Sequence, residues 1–372
     1  MMPTMPATDA SSGLLCIEPN LRNPGGHYAE FVRALGIGAG PQGIDVFAHP
    51  DADPFLRRMA GVRIDGRAPR ADRALAEWRA IDGCIAGQRL FLVLTADGRH
   101  TAVASLLSRT RGRPLSRARF YFHSMPTGLK ATLLKLSRRA QREALAIAPT
   151  AGIAAQLRAL GWRRVAYHPY PAIGPAPGPQ PTQFRHLLMA GAARLNKGLD
   201  LIAPLLESWS AQGRSIPLVI QVSRKHVHRH GSREARLVES VLESGYPALR
   251  AEEGAPDRAE YSQRFSGALV LAPYERRRFA EAVSGVVLDA LLHGAPVIAT
   301  RGTWPGAQVE RFAAGVTLQA RTVHSLSDAV DQILADWPAY SARACEAAAV
   351  LAREHDPAGL FRLLMQENQA TG

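Results

Sequence analysis

The chain has 372 residues, with 47 % apolar residues and few aromatics, a size that fits two soluble domains better than one core. With 45 Lys+Arg against 32 Asp+Glu, its formal charge of +13 favours anionic partners: phosphorylated small molecules, an acidic membrane surface or nucleic acid. No apolar run approaches the length of a membrane span, the first dozen residues lack the basic and apolar regions of a signal peptide and are expected to be disordered, and Cys16, Cys84 and Cys345 are too scattered for a disulfide framework.

In chain order, the first strand is expected at 14–19 (LLCIEP), followed by the turn NLRNPGG and a helix from about His27 to Leu35. A second strand falls at 44–49, and the Arg-rich segment 57–73 reads as exposed helix or loop. FLVLTAD is a buried strand leading into a helix at 100–109, and ARFYFHS (118–124) is another strand. A basic amphipathic helix is expected over 126–143, with Leu129, Leu133, Leu136 and Ala140 on one stripe and Lys130, Lys135, Arg138, Arg139 and Arg142 around it. That stripe either packs on the sheet or docks on an anionic membrane. A strand at 144–150, a helix at 152–161 closed by Gly161 and a strand at 164–171 complete the half.

Residues 172–183 (AIGPAPGPQPTQ) cannot continue a helix or a central strand and read as an interdomain linker. The second half repeats the alternation: strands at 185–193, 216–223, 268–274 and 295–300, helices at 199–213, 232–245 and 283–294, and two or more helices from Ser325 onward. Apolar strands alternating with helices mean parallel sheets covered on both faces. The expected fold class is therefore α/β, with two doubly wound Rossmann-like domains facing a cleft, and ligands beyond the carboxyl ends of the strands. The boundaries read as 13–171, the linker, 184–350, and a C-terminal helix at 351–372 that packs back on the first domain.

Several stretches could carry chemistry. Arg194 and Lys197 directly follow a strand, where two cations three residues apart suit a diphosphate. Ser284 is a good N-cap, and the free N–H groups of Gly285 and Val286 behind it make an anion site. Asp289 lies one turn in, among Val and Leu, where a carboxylate needs a partner: an internal salt bridge or a ribose diol. Glu281 precedes the cap on the loop. Gly25 and Gly26 allow close approach at a helix start, and His123 and Asp97 end strands on the ligand side of the first domain. His226, His228 and His230 have chelating spacing, but Arg224, Lys225 and Arg229 would repel a cation and no acid or Cys lies near, so they read as a solvated basic loop.

Taken together, these motifs resemble those of retaining, two-domain (GT-B) glycosyltransferases of the family 4 type. Pro24-Gly25-Gly26 resembles the family's glycine loop, and His123 falls where it has a His near the transferred sugar. Arg194 and Lys197-Gly198 resemble its diphosphate-binding pair. Glu281 and Asp289, followed by HGAPVIAT, resemble its Glu-x7-Glu motif and tail. Ala282, Val283 and Ser284 stand where the family has Phe-Gly between the acids, and the second acid is shortened to Asp289.

The resemblance implies a nucleoside-diphosphate sugar donor, retention at the anomeric carbon and no metal. Glu281 and His123 would act at the sugar, Asp289 at the ribose, and Gly25, Gly26, Arg194, Lys197, Ser284, Gly285 and Val286 in donor binding. The implied role is hexosyl transfer to a glycan or lipid-linked acceptor in cell-surface polysaccharide synthesis, in the cytoplasm or peripherally on the inner face of the plasma membrane. Two alternatives stand beside it: a basic nucleic-acid-binding protein, supported by charge alone without a zinc-finger or helix-turn-helix signature, and a GT-B protein that has lost activity.

Overall fold

A computed structural model describes residues 13–69, 71–175, 183–222, 232–254 and 256–366. The expected disordered start, most of the Pro/Gly-rich linker and the histidines of HVHRH lie outside the described residues. The chain divides into two compact units, residues 1–171 with 355–372, and residues 172–354.

Seven parallel strands form the first sheet, in the order β3-β2-β1-β4-β5-β6-β7: β1 Leu15–Glu18, β2 Ile44–Ala48, β3 Val62–Arg67, β4 Phe91–Val93, β5 Ala118–Tyr121, β6 Leu145–Ala148 and β7 Val165–Tyr167. Strands β1, β2, β4, β5 and β6 are buried throughout, as expected when helices cover both faces. The second sheet has six parallel strands ordered β10-β9-β8-β11-β12-β13: β8 His186–Met189, β9 Leu218–Val222, β10 Leu249–Glu253, β11 Ala268–Ala272, β12 Val297–Thr300 and β13 Gly315–Leu318. In each sheet the chain runs outward one way and then returns to the other side of the starting strand. The reversal lies between β1 and β4 in one unit and between β8 and β11 in the other, and such switch points are where open α/β sheets receive ligands.

Three expectations are corrected. The Arg-rich segment 57–73 contains the edge strand β3, whose alternating burial lets Arg63 and Arg67 reach out to Asp45 and Asp53. The basic helix is two helices, Gly128–Leu136 and Arg138–Glu143. The break is at Ser137, whose buried hydroxyl meets Thr101 Oγ1 at 2.8 Å and donates to the Leu133 carbonyl at 2.6 Å. The expected stripe is split: Ala140 is buried in the core with residues of β4, β5 and β6, whereas Leu129 and Leu136 are 75 % and 67 % exposed and the helix Gly128–Leu136 buries Leu134 instead.

The last helix, Pro357–Met365, packs against the helix His27–Gly38 of the first unit, closely enough that a Cβ on Gly38 would overlap the Pro357 carbonyl. Cys16 and Cys84 are buried, and burial raises both thiols well above their ordinary range. Among the described residues no helix is long and apolar enough to cross a membrane.

Candidate functional site

In the second unit the switch point is built from two loops and a helix start. The loop after β8 carries Arg194 and Lys197 and ends at Gly198, whose φ of +103° and close approach to the Pro273 ring admit only glycine. Three hydrogen bonds, with Glu234, Glu275 and Arg321, brace this loop. Leu195 N–H donates to the buried Glu234 carboxylate at 3.1 Å, and Glu275 N–H donates to the Asn196 carbonyl at 2.9 Å. Arg321 donates to the Pro273 carbonyl at 2.6 Å and to that of Leu195 at 3.3 Å, while its guanidinium is held by Asp200. Neither Arg321 nor Glu234 was singled out by sequence reasoning, because both act across long sequence separations and leave no local pattern.

Lys197 of this loop stands next to the expected helix start. Ser284 caps the helix Gly285–Leu292, its hydroxyl accepting from Val287 N–H at 3.4 Å, and the same side chain is hydrogen-bonded to the buried Tyr274. A Cβ on Gly191 would lie 3.2 Å from Val286 Cγ2 and 3.4 Å from Lys197 Nζ, so the Lys197 ammonium and the first helical turn share one neighbourhood. Gly285 is exposed, with open space where a side chain would be.

The electrostatics of this corner are unbalanced. Lys197 is partly accessible, yet burial, reinforced by the charge of Arg194, lowers its pKa to about 8. Arg194 Nε is shielded from solvent without a hydrogen-bond partner in the structure. Two adjacent cations in that state are stabilised by a multivalent anion, and the helix start adds N–H donors of the same polarity.

Asp289, one turn further in, is partly exposed, and Tyr261 donates to its Oδ2 at 2.9 Å. Tyr261 comes from the helix Arg258–Gln263, which was not expected from the sequence. Glu281 lies exposed on the segment between the short helix Arg276–Phe279 and Ser284. Arg194, Lys197, Ser284, Gly285, Val286, Asp289 and Glu281 thus all belong to one unit, and the structure sets Lys197 beside Val286.

The remaining expected residues lie in the first unit. Gly26, at φ +92°, precedes the helix His27–Gly38 with open space around it, which explains why glycine stands there; Gly25 is equally open. His123 follows β5 and sits in an aromatic group with His27, Phe31, Tyr121 and Tyr170, ring centroids 4.8 to 5.9 Å from its own. Burial, helped by the charge of nearby His27, lowers its pKa to about 3 against a hydrogen bond to the Leu94 backbone. It is therefore a neutral imidazole at physiological pH, and its Nε2 is enclosed without a hydrogen-bond partner in the structure. Asp97 is occupied otherwise: it caps the helix Gly98–Arg111 and pairs with Lys130 at 2.8 Å.

Two Rossmann-like sheets with these switch points define the α/β architecture of the GT-B class. No family model and no curated protein matches the chain by sequence. Among solved structures it is similar to HepE from Anabaena, solved with UDP, with UDP and glucose, and with UDP-glucose: 15 % identity, TM-score 0.69, 95 % of this chain and 98 % of that one in the UDP complex. It is also similar to sucrose-phosphate synthase from Thermosynechococcus elongatus (16 % identity, TM-score 0.67, 95 % and 98 % covered) and to a glycosyltransferase from Rickettsia africae (10 % identity, TM-score 0.66, 94 % and 96 % covered). At such identities the likeness establishes the fold.

Proposed function

We propose that the protein is a retaining glycosyltransferase that moves a hexose from a nucleoside-diphosphate sugar to a glycan or lipid-linked acceptor in cell-surface polysaccharide synthesis, at the cytoplasmic face of the membrane. The observation that carries this reading is the pair Arg194, whose Nε has no hydrogen-bond partner among the described residues, and Lys197, which stands beside Val286 in the Ser284–Gly285–Val286 helix start. Fold likeness to proteins solved with UDP and UDP-glucose supports the donor class.

In this reading the bond between the anomeric carbon and the diphosphate oxygen breaks, and the electron pair leaves with the diphosphate. Lys197, Arg194 and the helix N–H groups stabilise that developing charge in fixed geometry, so no metal is required. The acceptor hydroxyl oxygen forms the new bond on the face the diphosphate leaves, which retains the anomeric configuration, and its proton passes to the departing diphosphate oxygen. Asp289, oriented by Tyr261, accepts from the ribose hydroxyls. The family resemblance assigns His123, a neutral hydrogen-bonding group, and Glu281 roles at the sugar, and Gly25 and Gly26 a role in donor binding.

The test is a thermal-shift panel of UDP-, GDP-, ADP- and dTDP-sugars at millimolar concentration. At least one should raise the melting temperature, since a ligand at 100 times its Kd stabilises by about 2.7 kcal/mol. No shift with any of them would overturn the reading.

The lowered pKa of Lys197 fixes the pH dependence of that binding. In the free protein the ammonium loses its proton around pH 8, whereas an anion requires it protonated. Affinity for the nucleoside diphosphate should be flat below pH 7 and fall by up to about tenfold per pH unit above 8. Calorimetric titration between pH 6.5 and 9.5 checks this, and a flat profile would remove Lys197 from the site.

A further inference from the structure

The helix Gly128–Leu136 carries its apolar stripe on the outside. At 100° per residue Leu129, Leu133 and Leu136 project within about 60° of one another, while the buried Leu134 points about 130° away. The inward attachment is specific. Gly98 lies so close that a Cβ there would overlap the Lys130 carbonyl, Thr101 meets Ser137, and Ser105 Oγ accepts from Ala140 N–H at 3.1 Å. The helix pair is therefore fastened to the helix Gly98–Arg111 by the side opposite the leucines. Leu129 and Leu136 are among the few large apolar side chains that the described residues expose, and Leu133 is half-buried. Cations border them: Lys135 on one flank of the stripe, then Arg138 and Arg142, both exposed, on the next helix, while Lys130 on the other flank is paired with Asp97.

We propose that this helix pair is a docking surface for an anionic lipid bilayer, with Leu129 and Leu136 inserted at the headgroup boundary and the surrounding cations on acidic headgroups. Charge decides the occupant. Insertion of two leucines alone gives marginal binding, and each cation near an acidic surface adds attraction worth about fivefold in affinity. A protein groove would need carboxylates opposite Lys135, Arg138 and Arg142, while a chain of net charge +13 opposes a second copy of itself on this face. The surface deepens the proposed function by bringing the enzyme to a lipid-linked acceptor, and it stands on geometry independent of that function.

Cosedimentation of the full chain with vesicles tests it. Vesicles rich in phosphatidylglycerol should bind the wild type, and phosphatidylcholine vesicles should not. Leu129→Glu with Leu136→Glu should abolish binding. Lys135→Glu with Arg138→Glu should lower it by tenfold or more, and 0.5 M salt should do the same. Each variant's melting temperature without ligand controls for folding, and its shift with UDP-glucose reports the donor site separately. Failure of the proposed function leaves vesicle binding intact, and failure of docking leaves the nucleotide shift intact. Absence of binding to acidic vesicles overturns the proposal, as does a dimer in solution that Leu129→Glu dissolves.

Discussion

Replacing Lys197 by alanine should raise the Kd for the nucleoside diphosphate about 10- to 100-fold, the cost of one charge-assisted contact to a phosphate oxygen. The free variant should be no less stable than the wild type. The pKa of Lys197 falls from 10.5 to about 8 on folding, so the protonated amine is disfavoured in the fold below pH 8, and stability rises with pH between those values as the unfolded chain holds the extra proton. Lys197→Ala removes both the penalty and that rise. Thermal melts at pH 7 and pH 10, each with and without nucleotide, read both effects. A large fall in the melting temperature of the free variant would mean that Lys197 holds the fold rather than a ligand. This opposition between stability and binding is the mark of a site built for an absent charge.

Arg119→Ala should be the most destabilising single change in the first unit. Arg119 is 2 % exposed on β5, and carbonyls receive its hydrogen bonds: Leu364 at 3.0 Å, Gln366 at 2.9 Å, Ser116 at 2.8 Å and Ala118 at 3.3 Å. Two of these carbonyls end the helix Pro357–Met365, where a cation also meets the negative end of the helix dipole. Burial and the charges of Arg164 and Arg117 lower its pKa to about 10, so it stays charged at neutral pH. Alanine would strand buried carbonyls and loosen a helix that buries Leu360, Phe361 and Leu364. The expected loss is about 3–5 kcal/mol. That corresponds to a fall of about 8–15 °C in the unit's melting temperature. Arg119→Lys should not restore it, because an ammonium cannot reach four carbonyls as a planar fork does. Limited proteolysis should then cut first within 355–372. A loss under about 1 kcal/mol would show that the helix is held by its apolar face alone.

The pattern of hits and misses along the chain has a physical cause. Central strands such as β1, β6, β11 and β12 are buried on both faces, so their sequences are continuous apolar runs and were legible directly. The strands that escaped notice, β3, β10 and β13, all lie at sheet edges. Their burial is mixed or alternating, β3 and β10 carry Arg, Asp or Glu, β13 is only the four residues Gly-Val-Thr-Leu, and no apolar run marks them. The Ser284 cap and the cation loop were legible because a helix start and a strand-to-helix turn are local events, coded within a few residues. The sequence by itself therefore determined the two-fold β/α alternation, the Pro/Gly-rich break, and the Ser284 cap and strand-end cations of the second half. Only the tertiary structure decided that Arg321 and Glu234 brace the cation loop, that Tyr261 orients Asp289, that Arg119 ties the chain's end to the first sheet, and that the leucine stripe of Gly128–Leu136 faces outward. Each of these joins residues far apart in the chain. Helical periodicity shows that a stripe exists but not which neighbour takes the opposite face, and here the tight contact at Gly98 settles it.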